Sequence, residues 1–511
     1  MPLPMSVPHG PPGPAAVAVG STAAAGATAA HVAARPPAYQ PVTPALLDEL
    51  RGIVGPAHVI AGDPEKLEAY SHDEIAEPEY ARMPECVVRP GSAAEIAAIM
   101  KLANRERVPV TPRGAGSGLS GGAVPVHGGI VLLTDRLNKV LEFDRANLTI
   151  TVEPGVITNE INPLVREAGL FFAGYPMSLE SCSVGGNVAE NAGGGKAVKY
   201  GVTGRYVTGL ELVTPTGEIV TLGGKLSKDV TGYNLIQLMV GSEGTLGIFT
   251  KITLKLMPLP KASADLLVLF PSAESAIAAV PRIIAGGGIL PTALEFMDRT
   301  SFMAACEYLN ETLDYQQAGA MLLITVDGAT ATEVEAAYEA VGEQCLQGGA
   351  LEVYVADNHT TSERVWKIRR NIAEAFKVRS PRQSLEDIVV PIAAIPAMVT
   401  GLLEIARKWD IEIPCYGHAG DGNLHATPVM NPAWTDAEWH DRLPRILEEI
   451  FTLTARLGGT LSGEHGIGHK RLAWMPLFCS PAHLEMMRAI KLALDPHLIL
   501  NPGKIIPPPA A

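Results

Sequence analysis

The sequence lacks the patterns that mark several large classes of protein. It has no dense run of Lys and Arg, and its formal net charge of −14 and pI near 5.5 argue against a nucleic-acid-binding surface. No stretch reaches the ~18 uninterrupted apolar residues that a membrane-spanning helix needs. We therefore expect no nucleic-acid partner and no transmembrane segment, with any contact to the inner membrane made through other proteins.

Cysteine is scarce and scattered. The six cysteines are Cys86, Cys182, Cys306, Cys345, Cys415 and Cys479. None of them shows Cys-x-x-Cys spacing, so neither an iron–sulfur cluster nor a disulfide framework is indicated. This usage predicts a reducing, cytoplasmic compartment and no iron–sulfur relay within the chain.

Residues 1–40 contain little besides Ala, Pro, Gly and Val, and Arg35 is their one Lys or Arg residue. There is no positive segment followed by a sustained apolar one, so a signal peptide is not indicated. Such low complexity cannot bury enough apolar area to offset chain entropy, which predicts a disordered arm. The rest of the 511 residues is long enough for two or three hydrophobic cores.

After the arm, short β-branched runs alternate with helical stretches. Residues 86–90 read as a strand and residues 92–105 as a capped helix. Residues 113–122 then form a glycine-rich segment, of which residues 116–121 match the G-x-G-x-x-G pattern. A Rossmann loop must open a helix, but the apolar strand 130–133 follows instead, so we reject a Rossmann site.

Two more segments rich in glycine and small residues occur at 176–195 and 240–247. We interpret all three as loops, in which missing Cβ atoms let backbone amides approach and donate to phosphate oxygens. Three such loops predict one long ligand that carries a pyrophosphate. Gly195-Lys196 is not a P-loop, because Glu190 stands where the first glycine should be and Ala197 replaces Ser or Thr.

The second half of the chain carries a split histidine motif. Residues 418–425 read His-Ala-Gly-Asp-Gly-Asn-Leu-His, and residues 462–468 read Ser-Gly-Glu-His-Gly-Ile-Gly. Imidazole nitrogens and a carboxylate are ligands that zinc and related ions favour, and three protein ligands would leave a coordination position open for chemistry. Glu464 could instead be a base with His465 as a ligand, since neighbours on an extended strand point oppositely. A zinc hydrolase with merely structural glycine loops is a further alternative.

Taken together, these motifs resemble the FAD-linked oxidase family with the vanillyl-alcohol-oxidase (PCMH-type) FAD fold. The resemblance runs in order from residue 45 to residue 506 and is carried by residues 113–122, 183–195, 241–247, 418–425, 463–468 and 501–504. Within the family, the likeness is to glycolate oxidase flavin subunits and cytochrome-linked D-lactate dehydrogenases.

The resemblance implies an α+β fold in two domains. A two-subdomain PCMH-type FAD-binding domain would occupy residues 41–260. Residues 261–511 would form an α+β cap, substrate and metal domain with an antiparallel sheet and a helical C-terminal return. The strands and helices that alternate between Leu266 and Val355 fit such a cap.

The resemblance also implies which residues bind the cofactor. Those at the pyrophosphate would be Arg113, Gly114, Ala115, Gly116, Ser117, Gly118 and Leu119. Those along the flavin would be Ser183, Gly185, Gly186, Asn191, Gly193, Glu243 and Gly247, with Asn501 in the returning tail. No His lies inside the first glycine-rich segment, near which covalent members attach their flavin, so noncovalent FAD is implied.

For the substrate, the resemblance implies a metal site and two catalytic residues. His418, His425 and Glu464 would hold a divalent metal, Zn²⁺ before Mn²⁺ or Fe²⁺, and His465 would accept the hydroxyl proton. The helix that we expect to begin near Trp366 contains the Trp-x-x-Arg pattern of the family, which implies that Arg369 grips a carboxylate.

The sequence departs from the pattern of relatives that act on diacids. Those relatives carry a Thr one turn beyond the Arg and a Lys before the next strand, where this chain has Ala373 and residues 384–387, Ser-Leu-Glu-Asp. This difference disfavours a second carboxylate on the substrate.

We therefore expect an FAD-dependent 2-hydroxy acid dehydrogenase that oxidises glycolate or D-lactate to the 2-oxo acid, by metal-assisted hydroxyl deprotonation and hydride transfer to flavin N5. Electrons would pass to a quinone, a cytochrome or an iron–sulfur partner subunit, in a hetero-complex or a homodimer. The alternatives are a D-2-hydroxyglutarate dehydrogenase, a noncatalytic flavin subunit and a transferase of the alkyl-glycerone-phosphate synthase type. Such transferases carry consecutive histidines, which this sequence lacks.

Overall fold

The computed structural model describes residues 39–75, 78–286, 288–311, 317–356, 358–380 and 382–508. Except for Tyr39 and Gln40, the arm predicted to be disordered lies outside the described residues. The described chain mixes helices with parallel and antiparallel sheets, which confirms the predicted α+β fold class.

The first half of the chain builds two larger sheets and one sheet of two strands. Its strands are β1 (Val59–Ala61), β2 (Cys86–Val88), β3 (Val110–Arg113), β4 (Ile130–Leu133), β5 (Val140–Asp144), β6 (Thr149–Val152), β7 (Leu170–Phe171), β8 (Val207–Val213), β9 (Ile219–Gly223), β10 (Ile248–Lys255) and β11 (Met257–Pro258). Its helices are α1 (Pro44–Val54), α2 (Pro64–Glu68), α3 (Ala93–Glu106), α4 (Ile161–Arg166), α5 (Val184–Glu190), α6 (Ala197–Tyr200) and α7 (Leu235–Met239). The first sheet has the order β1-β2-β4-β3 and the second β5-β6-β10-β8-β9.

The first sheet places the glycine-rich segment. Helix α3 starts where the Ser92 side chain accepts a hydrogen bond from the Glu95 amide, and its apolar face packs on the sheet. Strand β4 is buried along its whole length and pairs in parallel with β2 and β3, as its unbroken apolar run predicts. Bends and turns, and no helix, lie between β3 and β4, so the structure confirms that this segment is not a Rossmann loop.

The second half builds one antiparallel sheet with helices packed against it. Its strands are β12 (Ala262–Phe270), β13 (Ala293–Asp298), β14 (Ala320–Gly328), β15 (Glu352–Ala356), β16 (Glu386–Val389), β17 (Cys415–Gly417) and β18 (Asn423–Ala426). Its helices are α8 (Ala273–Gly286), α9 (Arg299–Leu309), α10 (Ala331–Gln347), α11 (His359–Arg370), α12 (Ile372–Arg379), α13 (Ile395–Trp409), α14 (Asp436–Arg456), α15 (Met475–Phe478) and α16 (Pro481–Leu494). The strand order β15-β12-β14-β13-β17-β18-β16 confirms the predicted antiparallel cap sheet.

Two local predictions were wrong. The segment 176–195 is not a continuous loop, because residues 184–190 form helix α5. Trp366 does not begin a helix but lies in the last turns of α11, which starts where the Asn358 side chain accepts a hydrogen bond from the Thr361 amide. The β-branched Thr360 and Thr361 favour helices weakly and concealed this start.

The C-terminal tail returns to the first sheet, as predicted. The Val110 amide donates to the Ile499 carbonyl at 2.8 Å, and the Asn501 amide donates to the Val110 carbonyl at 2.7 Å. The tail therefore extends the first sheet beside β3. The domain boundary at residues 260 and 261 stays a prediction. Within the described residues, no helix combines the length and apolar character needed to cross a membrane.

Candidate active site

A large cavity lies where the glycine-rich segments of the first half meet the histidine motif of the second. It encloses about 1860 Å³, its open mouth included. The predicted site residues that line it are Arg113, Gly114, Ala115, Gly116, Ser117, Gly118, Leu119, Ser183, Gly185, Gly186, Gly193, Glu243, Gly247, Arg369, His425, Glu464 and His465. Asn191, His418 and Asn501 lie behind its wall rather than on it.

The glycine-rich wall is shaped for a ligand that approaches the backbone closely. A Cβ at Gly114 would lie 2.5 Å from Ser183 Oγ, and Gly116 has a left-handed φ of 77°. Ser183 Oγ is buried and has no hydrogen-bond partner among the described residues. A buried hydroxyl without a partner is costly, and a phosphate oxygen would satisfy it. The wall therefore fits the pyrophosphate of FAD.

Arg113 is braced on the protein side of this wall. Its guanidinium donates to the His72 carbonyl at 2.7 Å and lies over the Tyr70 ring. Burial lowers the pKa of Arg113 from its usual value, although Asp73 opposes the shift. The predicted pyrophosphate contact would accordingly come from the backbone of the loop, with the Arg113 side chain supporting Gly116.

Asn191 and Asn501 hold the wall together from behind. Asn191 ends α5 with a φ of 54° and accepts a hydrogen bond from the Gly204 amide at 2.8 Å. The Asn501 side chain donates to the carbonyls of Gly122 at 3.0 Å and Glu243 at 2.7 Å. As placed, both residues position the loops rather than face the cavity.

The second half contributes a cluster centred on one carboxylate oxygen. Glu464 Oε1 lies 3.2 Å from His418 Nε2, 3.4 Å from His425 Nε2 and 3.9 Å from His465 Nε2. Three imidazole nitrogens converging on a partly buried carboxylate provide the donor set that a divalent cation requires. The residues present therefore fit a metal, and His418 reaches the cluster although it does not line the cavity.

The segment that carries Glu464 and His465 consists of bends rather than a strand. Neighbouring side chains therefore need not point oppositely, and both of these residues line the cavity. The His465 ring stacks on that of His425, with centroids 5.0 Å apart and an interplanar angle of 6°. Burial lowers the pKa of His465 to about 4, although Asp387 opposes the shift. Which of Glu464 and His465 is the base stays open on geometry alone.

Glu295, which lies on β13 and is fully buried, was not predicted from the sequence as a site residue. Glu295 Oε1 accepts a hydrogen bond from His418 Nδ1 at 2.6 Å, and Oε2 accepts one from Arg369 Nε at 2.7 Å. Burial alone would lower the pKa of His418, but the carboxylates of Glu295 and Glu464 outweigh it and raise that pKa well above the usual value. Glu295 therefore fixes both a predicted metal ligand and the predicted carboxylate-binding Arg.

Asp387 on β16 was also missed and is equally buried. Its Oδ2 accepts hydrogen bonds from the Ser462 hydroxyl at 2.6 Å and from the amides of residues 463, 464 and 465 at 2.8–2.9 Å. Its Oδ1 accepts one from the Asn423 side chain at 2.6 Å and lies 3.7 Å from His425 Nδ1. One carboxyl group thereby joins both halves of the histidine motif.

Two donor sets compete for a metal at this cluster. Potential ligand atoms of Asp387, His425, Glu464 and His465 all lie within 4.8 Å of one another. The set predicted from the sequence is instead His418, His425 and Glu464, and it contains neither Asp387 nor His465. Asp387 already accepts hydrogen bonds on both oxygens, so it is better suited to anchoring the loop than to binding an ion. The predicted set of His418, His425 and Glu464 stays the better chemical fit.

The wall around Arg369 completes the site. The central carbon of its guanidinium lies 5.2 Å from the centre of the Tyr416 ring. Its Nη2 atom makes no hydrogen bond with any described residue. Tyr416, Ala373 and Leu385 line the neighbouring surface. A small anion could therefore meet a guanidinium that is already oriented, beside an otherwise largely apolar surface.

Comparison with known proteins assigns the family. Residues 84–223 match the model described as FAD binding domain, and residues 259–505 match that of FAD linked oxidases, C-terminal domain. Glycolate oxidase subunit GlcD of Bacillus subtilis strain 168 is 40% identical over 467 residues, covering 91% of this chain and 97% of the relative. D-Lactate dehydrogenase of Anaerostipes hadrus is 38% identical over 472 residues, covering 91% and 98%.

Among solved structures, p-cresol methylhydroxylase with substrate bound shares the fold with a TM-score of 0.74 at 17% identity, covering 90% of this chain and 95% of that one. The sequence resemblance inferred from the separate motifs is thereby confirmed. The chain belongs to the FAD-linked oxidase family, with a PCMH-type FAD-binding fold, and is an FAD-linked oxidoreductase.

Proposed function

We propose that this chain is an FAD-dependent dehydrogenase of a small monocarboxylic 2-hydroxy acid, either glycolate or D-lactate. The observation that carries the proposal is the meeting of Arg369, Glu464 and His465 on one side of a cavity whose other side is the glycine-rich wall. The names of the two relatives, a glycolate oxidase subunit and a D-lactate dehydrogenase, support the same substrate class.

Arg369 would bind the substrate carboxylate. Glu295 Oε2 lies 2.7 Å from both the Nε and the Nη2 atoms of Arg369, which fixes the plane of the guanidinium. The Nη2 atom still has an N–H group that can donate to the substrate. Its contact with Glu295 is an ion pair rather than a well-directed hydrogen bond. Fixing the guanidinium in advance reduces the entropy lost when the anion binds.

His418, His425 and Glu464 would hold a divalent metal, with Zn²⁺ proposed before Mn²⁺ or Fe²⁺. When bound, the metal acts as a Lewis acid on the carboxylate and hydroxyl oxygens of the substrate. Glu295 orients His418 through its Nδ1, and Asp387 orients the loop that presents Glu464. The chain therefore supports two of the three proposed ligands, His418 and Glu464, from a second residue, as metal sites in proteins commonly require.

His465 would accept the proton of the substrate hydroxyl. Its ring lines the cavity, is held parallel to His425 and has an Nδ1 atom without a partner in the described part of the chain. FAD, when bound, supplies the acceptor for the hydride that leaves the substrate carbon bearing this hydroxyl. Placing a proton acceptor and the carboxylate-binding Arg369 on one wall orients the substrate for both transfers.

Preference for a monoacid follows from the surface beside Arg369. Ala373 and Leu385 are apolar, and Ser384 donates to Glu386 rather than to the cavity. The neighbouring Arg370 lines the cavity but pairs with Glu363 at 2.8 Å. Among the described residues that line the cavity beside Arg369, Arg370 is the further cation and is already paired, so desolvation of a second substrate carboxylate here would be costly.

Anaerobic mixing of the holoenzyme with 2-hydroxy acids tests the proposal. Glycolate or D-lactate is expected to bleach the flavin at least about 10-fold faster than D-2-hydroxyglutarate, because an unpaired second carboxylate costs upwards of ~1.4 kcal/mol. Stopped-flow absorbance at the flavin band measures the rates, before and after treatment with a chelator. Bleaching that is insensitive to chelation contradicts the metal, and faster bleaching by D-2-hydroxyglutarate contradicts the monoacid. Flavin that none of the acids reduces favours the transferase alternative.

Substitution of Arg369 by Met is expected to raise KM for the acid by about 10- to 100-fold, because a charge-assisted pair of hydrogen bonds to the carboxylate is lost. Steady-state kinetics with an artificial electron acceptor measures the effect. Arg364→Met on the same helix is the control, since Arg364 bonds to Glu311 and does not line the cavity. Equal KM values for the two variants would remove Arg369 from the proposed carboxylate site.

The electron acceptor is proposed to lie outside this chain. The six cysteines are free, and the five buried ones lie on different strands, helices and loops, so their positions do not favour an iron–sulfur site. A quinone, a cytochrome or an iron–sulfur subunit would serve, and the name of the Bacillus subtilis relative, a subunit, favours a complex. The cytoplasmic location and the oligomeric state stay predictions.

A further inference from the structure

Glu190 lines the cavity but takes no part in the proposed chemistry. It is the last residue of α5, and its Oε2 atom is buried without a hydrogen-bond partner among the described residues. Leaving a buried carboxyl oxygen unpaired is costly, and more so if the group is charged. An oxygen placed in this way on the wall of a ligand cavity is either protonated or completed by the ligand.

Two loops hold Glu190 at one end of the cavity. A Cβ at Gly122 would lie 2.9 Å from Glu190 Oε1, and a Cβ at Gly466 would lie 2.1 Å from Glu190 Oε2. Gly466 directly follows His465, the proposed proton acceptor. Since the flavin ring must face the substrate beside His465, Glu190 lies at the end of the cavity that receives the ring.

A second carboxyl group approaches the same point. The Cβ position of Gly466 is 3.0 Å from Glu243 Oε1, so the carboxyl groups of Glu190 and Glu243 face one another. Glu243 accepts hydrogen bonds from the amides of Ile467 at 2.8 Å and Gly468 at 2.6 Å, whereas Glu190 accepts none from the described chain. Two such groups cannot both ionise cheaply, and the one without donors retains the proton.

The remaining charges near Glu190 favour the same assignment. Burial, then Glu243 and Asp73, raise the pKa of Glu190 well above its usual value, and Arg471 opposes them only weakly. Arg471 is itself occupied by Glu386 and by the carbonyls of Leu119, Leu385 and Gly466.

We propose that Glu190 is a neutral acid whose O–H donates a hydrogen bond to an acceptor atom of the flavin ring and thereby favours flavin reduction. Reduction places negative charge on the ring, and a hydrogen bond from an O–H strengthens as its acceptor gains charge. The inference requires FAD in this cavity but does not depend on which acid is oxidised.

The test measures the flavin itself. Holoenzymes carrying Glu190→Gln and Glu190→Leu are reduced with a chemical reductant in the presence of a reference redox dye, and the ratio of reduced to oxidised flavin is read at equilibrium. Glu190→Leu is expected to lower this ratio about 10-fold, because it removes a hydrogen bond to a ring that becomes charged on reduction. Glu190→Gln is expected to keep the ratio of reduced to oxidised flavin within about twofold of the wild type, because its amide also donates a hydrogen bond.

Exposed Glu167 supplies the control variant, Glu167→Gln, which should match the wild type. A ratio that rises in both Glu190 variants would show that the wild-type group is an anion and would overturn the proposal. Equal ratios in all variants would also overturn it. Because the reductant is not a hydroxy acid, these outcomes are independent of whether the chain oxidises the proposed substrate.

A second measurement does not require the Leu variant to fold. Infrared difference spectra of the wild type, oxidised minus reduced, are expected to contain the carbonyl band of a protonated carboxylic acid that shifts when the flavin is reduced. The band should be absent from Glu190→Gln. A wild-type spectrum without such a band, or one in which the band persists in Glu190→Gln, would overturn the assignment.

Discussion

Replacement of His465 by Asn is expected to slow flavin reduction by the substrate about 10²- to 10⁴-fold, the usual contribution of a positioned general base. FAD should remain bound, because the glycine-rich wall is built mainly from other segments of the chain. Rapid-mixing absorbance under anaerobic conditions measures the rate, and absorbance of the purified holoenzyme measures the flavin content. His440→Asn is the control, since His440 is an exposed residue of α14 that bonds to the Asp436 carbonyl.

Metal analysis of the same variant separates the two roles left open for Glu464 and His465. If His465 is the base, the metal content of His465→Asn should match that of the wild type, and Glu464→Gln should lose metal. The reverse pattern would make His465 the ligand and Glu464 the base. An unchanged reduction rate in His465→Asn would exclude this residue from the chemistry altogether.

Replacement of Asp387 by Ala is expected to lower the free energy of unfolding by about 3–5 kcal/mol and to abolish flavin reduction by the substrate. The change removes the acceptor of five hydrogen bonds and leaves the amides of residues 463–465 without a partner in a partly buried loop. Denaturation by urea, followed by fluorescence, measures the stability. Anaerobic reduction of the refolded or native holoenzyme measures the second effect.

Asp265→Ala provides a matched control for Asp387. Asp265 is also buried on the cap sheet, where it accepts hydrogen bonds from the hydroxyls of Thr325 and Ser362, far from the histidine motif in the strand order. Its loss should reduce stability but leave the rate of flavin reduction within about twofold, because its hydrogen-bond partners Thr325 and Ser362 do not line the cavity. Equal effects of the two variants on flavin reduction would show that Asp387 acts only through general stability.

Much of this arrangement could be predicted from the sequence because local rules determined it. The strand β4 follows from an unbroken apolar run, and α3 follows from a Ser cap ahead of helical apolar spacing. The histidines at 418 and 425 flank a turn between β17 and β18, as their Gly, Asp and Asn residues indicate.

Glu295 and Asp387 could not be assigned in the same way. Glu295 is an acidic residue within a mostly apolar strand, and Asp387 follows Glu386 at the start of a strand that ends in Ile and Val. An acidic residue in such a strand is a sign of a buried charge that needs a partner. The sequence contained this sign, but it did not indicate which residues Glu295 and Asp387 would contact. Glu295 bonds to residues 74 and 123 positions away, and Asp387 to a loop 75 positions away. Only the order of strands in the cap sheet brings these groups together.

The carboxyl group of Asp387 also bears on how the enzyme matures. It ties the turn between the two histidines to the loop of Glu464 by hydrogen bonds within the protein, so the ligands are assembled by the sheet. In a zinc finger the ion itself drives the chain to fold, and the apoprotein is unfolded. Here the proposed ion would enter a finished protein as the last component. Scarcity of metal in the cell would therefore yield folded, flavin-loaded and inactive molecules rather than degraded ones.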